Sequence, residues 1–403
     1  MLSYSDARNK VIELAGTLRR PELRETVEIE QSFGRILATQ VLADRPYPPF
    51  DRSTRDGFAV RALDAAAGAQ LDCVGELRAG ASFDGIVGAG QCIEIMTGAA
   101  MPKGADAVVM IEHTHRDGRI ITLDRASNSG DHIVKRGSEA SAGALLVPAK
   151  TRLGYAEMAL AAQAGATRLE VFAMPRVAIL STGDEVVDAR KSPGPLQVRN
   201  SNGISIEVLA RTGGAQPVQL GNAPDESVAL RAAMERGLEQ DILVLSGGVS
   251  MGKYDLVEQV LADMGAQFHF TGVEIRPGRP AVFATCRNKL IFGLPGNPVS
   301  TMVTFELFVL PAIDLLGGAA PRSLPIFRAK LATPVREKGP LVHFLPARIE
   351  WQGREARVTQ LPWQGSGDIV ALAAANGFLV IGPERPEIAA GEMVDVLPRR
   401  GAI

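Results

Sequence analysis

The sequence predicts a multi-domain chain of α/β-plus-β class, with a β-rich insertion domain, a doubly wound α/β domain and a C-terminal β-barrel. Three observations lead there. From Pro175 to about Gly318, short Val/Ile/Leu runs alternate with amphipathic stretches, as in parallel strands joined by helices. From about Val27 to Ile133, glycines divide the chain into short strand-like runs. After Gly318 such runs return with no helical period between them. A length of 403 residues accommodates roughly two to four domains.

In chain order, residues 3–19 read as an amphipathic helix. Ser5 is placed to cap it, and Ala7, Val11, Ile12, Leu14 and Leu18 share a face. The runs FAVRAL, LDCVGELRAG, QCIEIMTG, ADAVVMIEHT and RIITL then predict a small barrel or sandwich. Residues 144–172 turn helical again through AEMALAAQAGA and are expected to pack back on the first helix. That makes the first domain discontinuous, 1–26 with 140–174, around an insertion at 27–139. Within 175–318, RVAILST, QPVQLGN, DILVLSGG and KLIFGLPG read as strands. The helices are NSNGISIEVLARTG, DESVALRAAMERGLE, YDLVEQVLADMG and the long PVSTMVTFELFVLPAIDLLG. AQFHFTGVEI and AVFATC are extra strands and candidates for antiparallel pairing. In 319–403, FRAKLATP, VHFLPARIEW, ARVTQL, GFLVIG and MVDVLP point to a compact barrel, with Trp351 and Trp363 packed in it.

Composition narrows the function. Apolar residues make up 46% and charged residues 22%, as in an ordinary globular chain. A net charge of −2 gives no overall basic field for nucleic acid or an acidic membrane. No apolar run approaches the ~20 residues of a spanning helix, since the stretch from Val303 to Leu316 carries Glu306, Pro311 and Asp314. The N-terminus lacks the basic-then-apolar order of a signal peptide. Cys73, Cys92 and Cys286 are odd in number and show no C-x-x-C spacing, which excludes a disulfide scaffold and a cysteine zinc site and leaves core thiols. A cytoplasmic protein is expected.

Three loops follow strands and precede helices: Thr182 to Glu185, Ser246-Gly247-Gly248-Val249-Ser250, and Leu294-Pro295-Gly296-Asn297-Pro298. In an open parallel sheet ligands bind at this edge, where glycines allow close approach and helix N-termini offer N–H groups. Asn297 before Pro298 reads as an N-cap. Asp184, Glu185, Asp225 and Asp255 gather at the same edge, and Mg²⁺ is served by a few carboxylates plus substrate phosphate. For Asp225 the plain alternative is a favourable charge at a helix start. Arg276 and Arg279 flank a turn and can grip phosphate, with Lys253 near in sequence. His113 and His115 alternate without a third ligand and read as surface residues. Neither G-x-G-x-x-G nor a Walker A loop is present, so motif grounds for a dinucleotide enzyme or P-loop ATPase are missing.

With these segments in hand, the chain resembles the molybdopterin molybdenumtransferase family, which includes the C-terminal part of gephyrin. The resemblance rests on PPFDRSTRDGFAV (48–60), GQCIEIMTGAAMPKGADAVV (90–109), VKRGSEASAGA (134–144) and STGDEVV (181–187). It continues through RNSNG (199–203), DILVLSGGVSMGKYD (241–255), IRPGRPAVFA (275–284), FGLPGNPVS (292–300) and QGSGDIVALAAANGF (364–378). It implies an elongated four-domain homodimer and Mg²⁺-dependent insertion of molybdate into adenylylated molybdopterin, with release of AMP. The adenylyltransferase of the same pathway is a candidate partner.

Carried over by position, the resemblance points to Asp56, Thr97, Glu185, Asp225, Asp255, Arg276, Arg348 and Ser366, with Pro295 and Pro298 shaping the ligand loop. Glu185 and Asp255 are the implied metal ligands, and Glu139 stands where the family has aspartate. Members often have lysine where this chain has Arg276, Arg279 and Gly272, so one cation is lost at Gly272. Two other readings are a non-catalytic molybdopterin-binding scaffold and a nucleotide hydrolase sharing the α/β domain. The second of these would not carry the β insertion and β tail.

Overall fold

A computed structural model describes residues 1–249, 256–337 and 339–400. The chain forms two compact units. One comprises Met1–Thr26, Gly34–Ala38 and Glu170–Ile403, the other Val27–Phe33 and Thr39–Leu169.

The first unit is built on a six-stranded sheet in the order Gln216–Ala223, Arg176–Thr182, Ile242–Ser246, Lys289–Leu294, Val282–Cys286, Gln267–Phe270. The first four strands are parallel, and the last two pair antiparallel. Alternation along each strand fills both faces. Val177, Ile179, Ile242 and Val244 bury one way, and Ala178, Leu180, Leu243 and Leu245 the other. The first set packs on the helices Ser201–Gly213 and Pro298–Leu316, the second on Ser227–Gly237 and Leu256–Asp263. The sheet is doubly wound, as expected.

The helix Pro298–Leu316 departs from its sequence reading. Its 19 residues have a mean hydropathy of 1.7, long and apolar enough for a membrane span, but 89% of them lie buried inside the protein. Here the apolar run is a core helix. Its middle, Phe305–Val309, is π-wound, and Pro311 follows. Proline has no N–H, so the Leu307 carbonyl four residues back loses its helical donor. The Arg8 guanidinium supplies one, at 2.7 Å.

The first helix spans Tyr4–Thr17, and its cap is Ser3, whose hydroxyl accepts the Asp6 N–H at 3.1 Å. Ser5 lies inside the first turn, so the expected cap was two residues late. Ala7, Val11 and Ala15 are small enough to seat this helix against Leu310–Leu316 in the α/β core. The helix Tyr155–Gln163 belongs to the other unit, against the strand Leu145–Val147. The two helices expected to pack together therefore join different cores.

Beyond the α/β sheet, five strands close a barrel in the order Val342–Gln352, Glu355–Gln360, Phe327–Leu331, Met393–Pro398, Gly377–Ile381 and back to the first. Leu345, Ala347, Val358, Leu379 and Val396 fill it. Two expectations fail here. A short helix, Ile369–Ala374, interrupts the strands, and Trp351 is 58% exposed, stacked on Phe327 outside the core. Trp363 packs partly buried, as expected.

The second unit holds a six-stranded sheet in the order Ala107–Met110, Gly57–Val60, Gln91–Ile95, Gln70–Leu77, Ile120–Leu123, Thr114–Asp117. Both of its faces are buried, Phe58, Val60 and Leu71 on one and Ala59, Ile93 and Ile95 on the other. Cys73, Cys92 and Cys286 are buried and free, and burial above all pushes the Cys92 thiol up to about 12.

Arg8→Met keeps the apolar stem but removes the donor to Leu307. Loss of a charged hydrogen bond to a buried carbonyl should lower stability by about 1.5–3 kcal/mol. A urea midpoint equal to the parent's would show that the Leu307 carbonyl needs no such donor.

Candidate functional site

The parallel strands end level. Ser181 stands opposite Ser246, and Ser246 opposite Leu294. The strand order reverses between Arg176–Thr182 and Ile242–Ser246, because Gln216–Ala223 lies on the far side of the former. An open α/β sheet leaves a crevice at such a reversal. Gly247 and Gly248 line it with φ of +95° and +67°, where side chains are disfavoured. A Cβ on Gly247 would stand 2.8 Å from the Thr182 carbonyl oxygen, and one on Gly296 3.5 Å from Gly247 Cα. The loops thus meet through backbone.

Asn202 ties them together. Its Nδ2 donates to Ser246 Oγ at 2.8 Å and to the Gly296 carbonyl at 2.7 Å. Asn200 donates to Ser181 Oγ at 2.9 Å and caps its own helix by accepting the Gly203 N–H. Asn297 holds the N-cap position before Pro298 but does not cap with its side chain, because its Nδ2 donates to Ser366 Oγ at 2.7 Å. The Val299 N–H donates to the Ser366 carbonyl, and Thr301 Oγ1 to the Pro295 carbonyl at 2.6 Å. The structure therefore assembles Ser246, Gly247, Gly248, Pro295, Asn297, Pro298 and Ser366. Among the described residues, Thr182 Oγ1 and Asn202 Oδ1 are buried here without a hydrogen-bond partner. Buried polar atoms are seldom left so, and two at one crevice fit a ligand that satisfies them.

Asp184 and Glu185 are exposed on the loop after Thr182. Asp184 Oδ1 accepts the Asp225 N–H at 3.1 Å, which brings Asp225 to the same edge. Asp225 is not the helix cap, since Ser227–Gly237 has Glu226 in that place. The Glu185 carboxylate folds over Gly183, 2.6 Å from where a Cβ would be. Among the described residues no three His, Cys, Asp or Glu converge as a metal cage. Such carboxylate oxygens fit Mg²⁺, which needs only one or two carboxylates beside substrate phosphates. Ser250, Lys253 and Asp255 lie outside the described residues.

Arg276, Arg279 and Arg348 are exposed. Arg276 Nη1 lies 3.7 Å from Glu337, Arg279 Nε 3.3 Å from Met1 Sδ, and Arg348 Nη1 3.4 Å from the Ala374 carbonyl. The two arginines flanking the turn thus face different neighbours.

In the second unit Asp56 precedes the strand Gly57–Val60, and Thr97 follows the antiparallel Gln91–Ile95. Gly57 is required, because a Cβ there would stand 1.9 Å from the Val109 carbonyl oxygen. Asp56 Oδ1 accepts the Thr97 N–H at 2.6 Å and its hydroxyl at 2.7 Å. Those two bonds, the backbone one first, hold the Asp56 carboxyl below its ordinary value. Glu139 pairs with Arg52 at 3.1 Å, and Asp51 with Lys135 at 2.9 Å, joining the loops around residues 51–56 and 134–139. His113 and His115 hold Arg125 and Asp124, respectively. Sequence reading missed Asn202 as a site residue, although the RNSNG run was its signal. It also missed Asp368, which accepts the Gln364 and Ala371 N–H groups and so fixes the Ser366 loop.

Comparison with known proteins finds one family along the whole chain. A profile of the MoeA N-terminal region (domains I and II) matches residues 2–165. One described as a probable molybdopterin binding domain matches 178–315, and the MoeA C-terminal region (domain IV) matches 328–398. The molybdopterin molybdenumtransferase of Nostoc sp. is 38% identical over 81% of this chain and 77% of its own. That of Bacillus subtilis is 35% identical over 93% and 89%. The solved molybdopterin biosynthesis MoeA protein of Pyrococcus horikoshii superposes with a TM-score of 0.83 at 27% identity, covering 99% of this chain and 100% of that one.

Thr97→Val removes the hydroxyl donor and leaves the N–H. A depressed carboxyl contributes stability above its ordinary value, and loses it as pH falls through the folded value. In the variant, Asp56 should titrate at higher pH than in the parent, read by carboxyl ¹³C NMR. Coincident titrations would mean that the hydroxyl bond does not form in solution.

Proposed function

The chain belongs to the molybdopterin molybdenumtransferase family, and we propose on that premise that it inserts molybdate into adenylylated molybdopterin and releases AMP. The observation that carries this reading is the glycine-lined crevice between Thr182 and Ser246, with two buried polar atoms left for a ligand. The substrate has a phosphoanhydride and a dithiolene, and the second substrate is a tetraoxo dianion. The Gly248 backbone N–H, hydroxyls of Ser246 and Ser366, and the Asn297 amide would cradle these anions, with Arg276, Arg279 and Arg348 as counter-charges. Glu185 would orient the attacking water or the exchanging oxyanion. Mg²⁺ on the substrate phosphates, held by Glu185 and Asp255, would supply charge neutralisation.

Asp56, Thr97 and Glu139 belong to the other compact unit. The reading also includes a homodimer in which each site takes residues from both subunits. An isologous two-fold pairing would make two such sites. The adenylyltransferase that makes the substrate would be the partner upstream.

Glu185→Gln and Asp255→Asn remove charge at nearly constant volume and should abolish metal-dependent AMP release with normal melting. Wild-type turnover in both would sink the site assignment. Mixing the inactive variants Asp56→Asn and Glu185→Gln tests the shared site. With free subunit exchange, half of the dimers are mixed and half of their sites intact, so activity should return to about one quarter of wild type. Exchange verified by mass measurement without any activity would exclude sharing.

A further inference from the structure

A buried polar group that the proposed reaction does not use lies beside one of its arginines. His343, on the barrel strand Val342–Gln352, is 2% exposed and pairs in register with Arg276 across the strand Ile275–Arg276. Among the described residues neither ring nitrogen makes a hydrogen bond of good geometry, yet Nδ1 lies 3.3 Å from Glu337 Oε2. The same carboxylate oxygen stands 3.7 Å from Arg276 Nη1. Glu337 is itself fixed from the barrel side. Its N–H donates to the Pro386 carbonyl at 2.7 Å, and Val335–Arg336 before it pairs with Glu387–Ile388.

We propose that Glu337, fixed by the barrel backbone and flanked by His343, is a positioning residue that pre-sets the Arg276 guanidinium for its anion. The inference rests on the reading of Arg276 as an anion contact. Arg276 has a long, half-exposed side chain, and immobilising such a chain on binding is costly. A carboxylate at one edge of the guanidinium removes part of that cost in advance. It leaves the other donors of the planar fork for a second acceptor. Burial pushes His343 down, against the opposing pull of Glu337, so its ring is neutral near neutral pH. A neutral ring beside Glu337 leaves intact the charge that Arg276 needs. The opposite arrangement, in which Glu337 merely competes with the anion for Arg276, predicts the opposite sign.

The test is steady-state AMP release by the full-length protein with adenylylated molybdopterin and molybdate. Glu337→Gln should raise KM for adenylylated molybdopterin by about three- to tenfold and leave kcat near the parent's. His343→Leu should do the same, and His343→Asn, which restores an N–H near the Nδ1 position, should recover most of the loss. In an Arg276→Ala background, Glu337→Gln should add nothing, since the two residues act through one contact. A raised KM in Arg276→Ala with an unchanged or lowered KM in Glu337→Gln would overturn the inference alone. An unchanged KM in Arg276→Ala would overturn the anion role of Arg276 itself, and this inference with it.

Discussion

Three loops leaving one sheet at the same height is the constraint on which the site depends. Ser181, Ser246 and Leu294 stand level across neighbouring strands, so the chain segments beyond them compete for the same space. Backbone-only residues at Gly247 and Gly248 resolve the competition, and Asn202 then fastens the loops. A carbonyl oxygen only accepts, so the contact with Gly296 fixes which end of the Asn202 amide is the nitrogen. Its Oδ1 is thereby turned to the side where the described residues offer no donor.

The charges obey a similar economy. With a net charge of −2, the chain has no long-range pull on anions, so recognition depends on local geometry. In the second unit, Arg52–Glu139 and Lys135–Asp51 are surface pairs, each worth ~0–1 kcal/mol. Their value lies in joining the loops around residues 51–56 and 134–139, which come from distant parts of the chain. The Asp56–Thr97 pair is fixed more tightly, because strand register and a backbone N–H both place it.

Much of this was legible in the sequence, and the reasons are physical. Strands such as Ile242–Ser246 are buried on both faces and so read as unbroken apolar runs. Amphipathic helices such as Ser227–Gly237 betray their buried face by spacing. What stayed hidden depends on partners far along the chain. Nothing local says that Ala7, Val11 and Ala15 choose the core around Phe305 rather than the helix Tyr155–Gln163. Trp351 looks like a core residue by type but stands on the outward side of its strand, against Phe327. The Asn297 side chain abandons the cap that its position favours, because Ser366, 69 residues later, offers a better-placed oxygen. Glycine loops are visible because glycine is their cause. Asn202 is harder to read, because the RNSNG run marks its position but its role is set by what it bridges.

That same helix start alters how the crevice meets anions. A helix N-terminus offers four backbone donors without helical partners, and this is the usual ground for expecting phosphate there. At Pro298–Leu316, Pro298 has no N–H, and the Val299 N–H goes to the Ser366 carbonyl. Part of the expected donor set is therefore removed or consumed by the protein. The loop is held stiff in exchange, its Pro295 and Asn297 carbonyls both accepting from Thr301 Oγ1 and its helix rooted in the core. In the facing loop Gly247 and Gly248 stand at positive φ, and the Gly247 N–H is itself committed to the Leu294 carbonyl at 3.1 Å. The proline loop thus forms a stiff wall of the crevice, tied to Thr301 on one side and to Ser366 on the other.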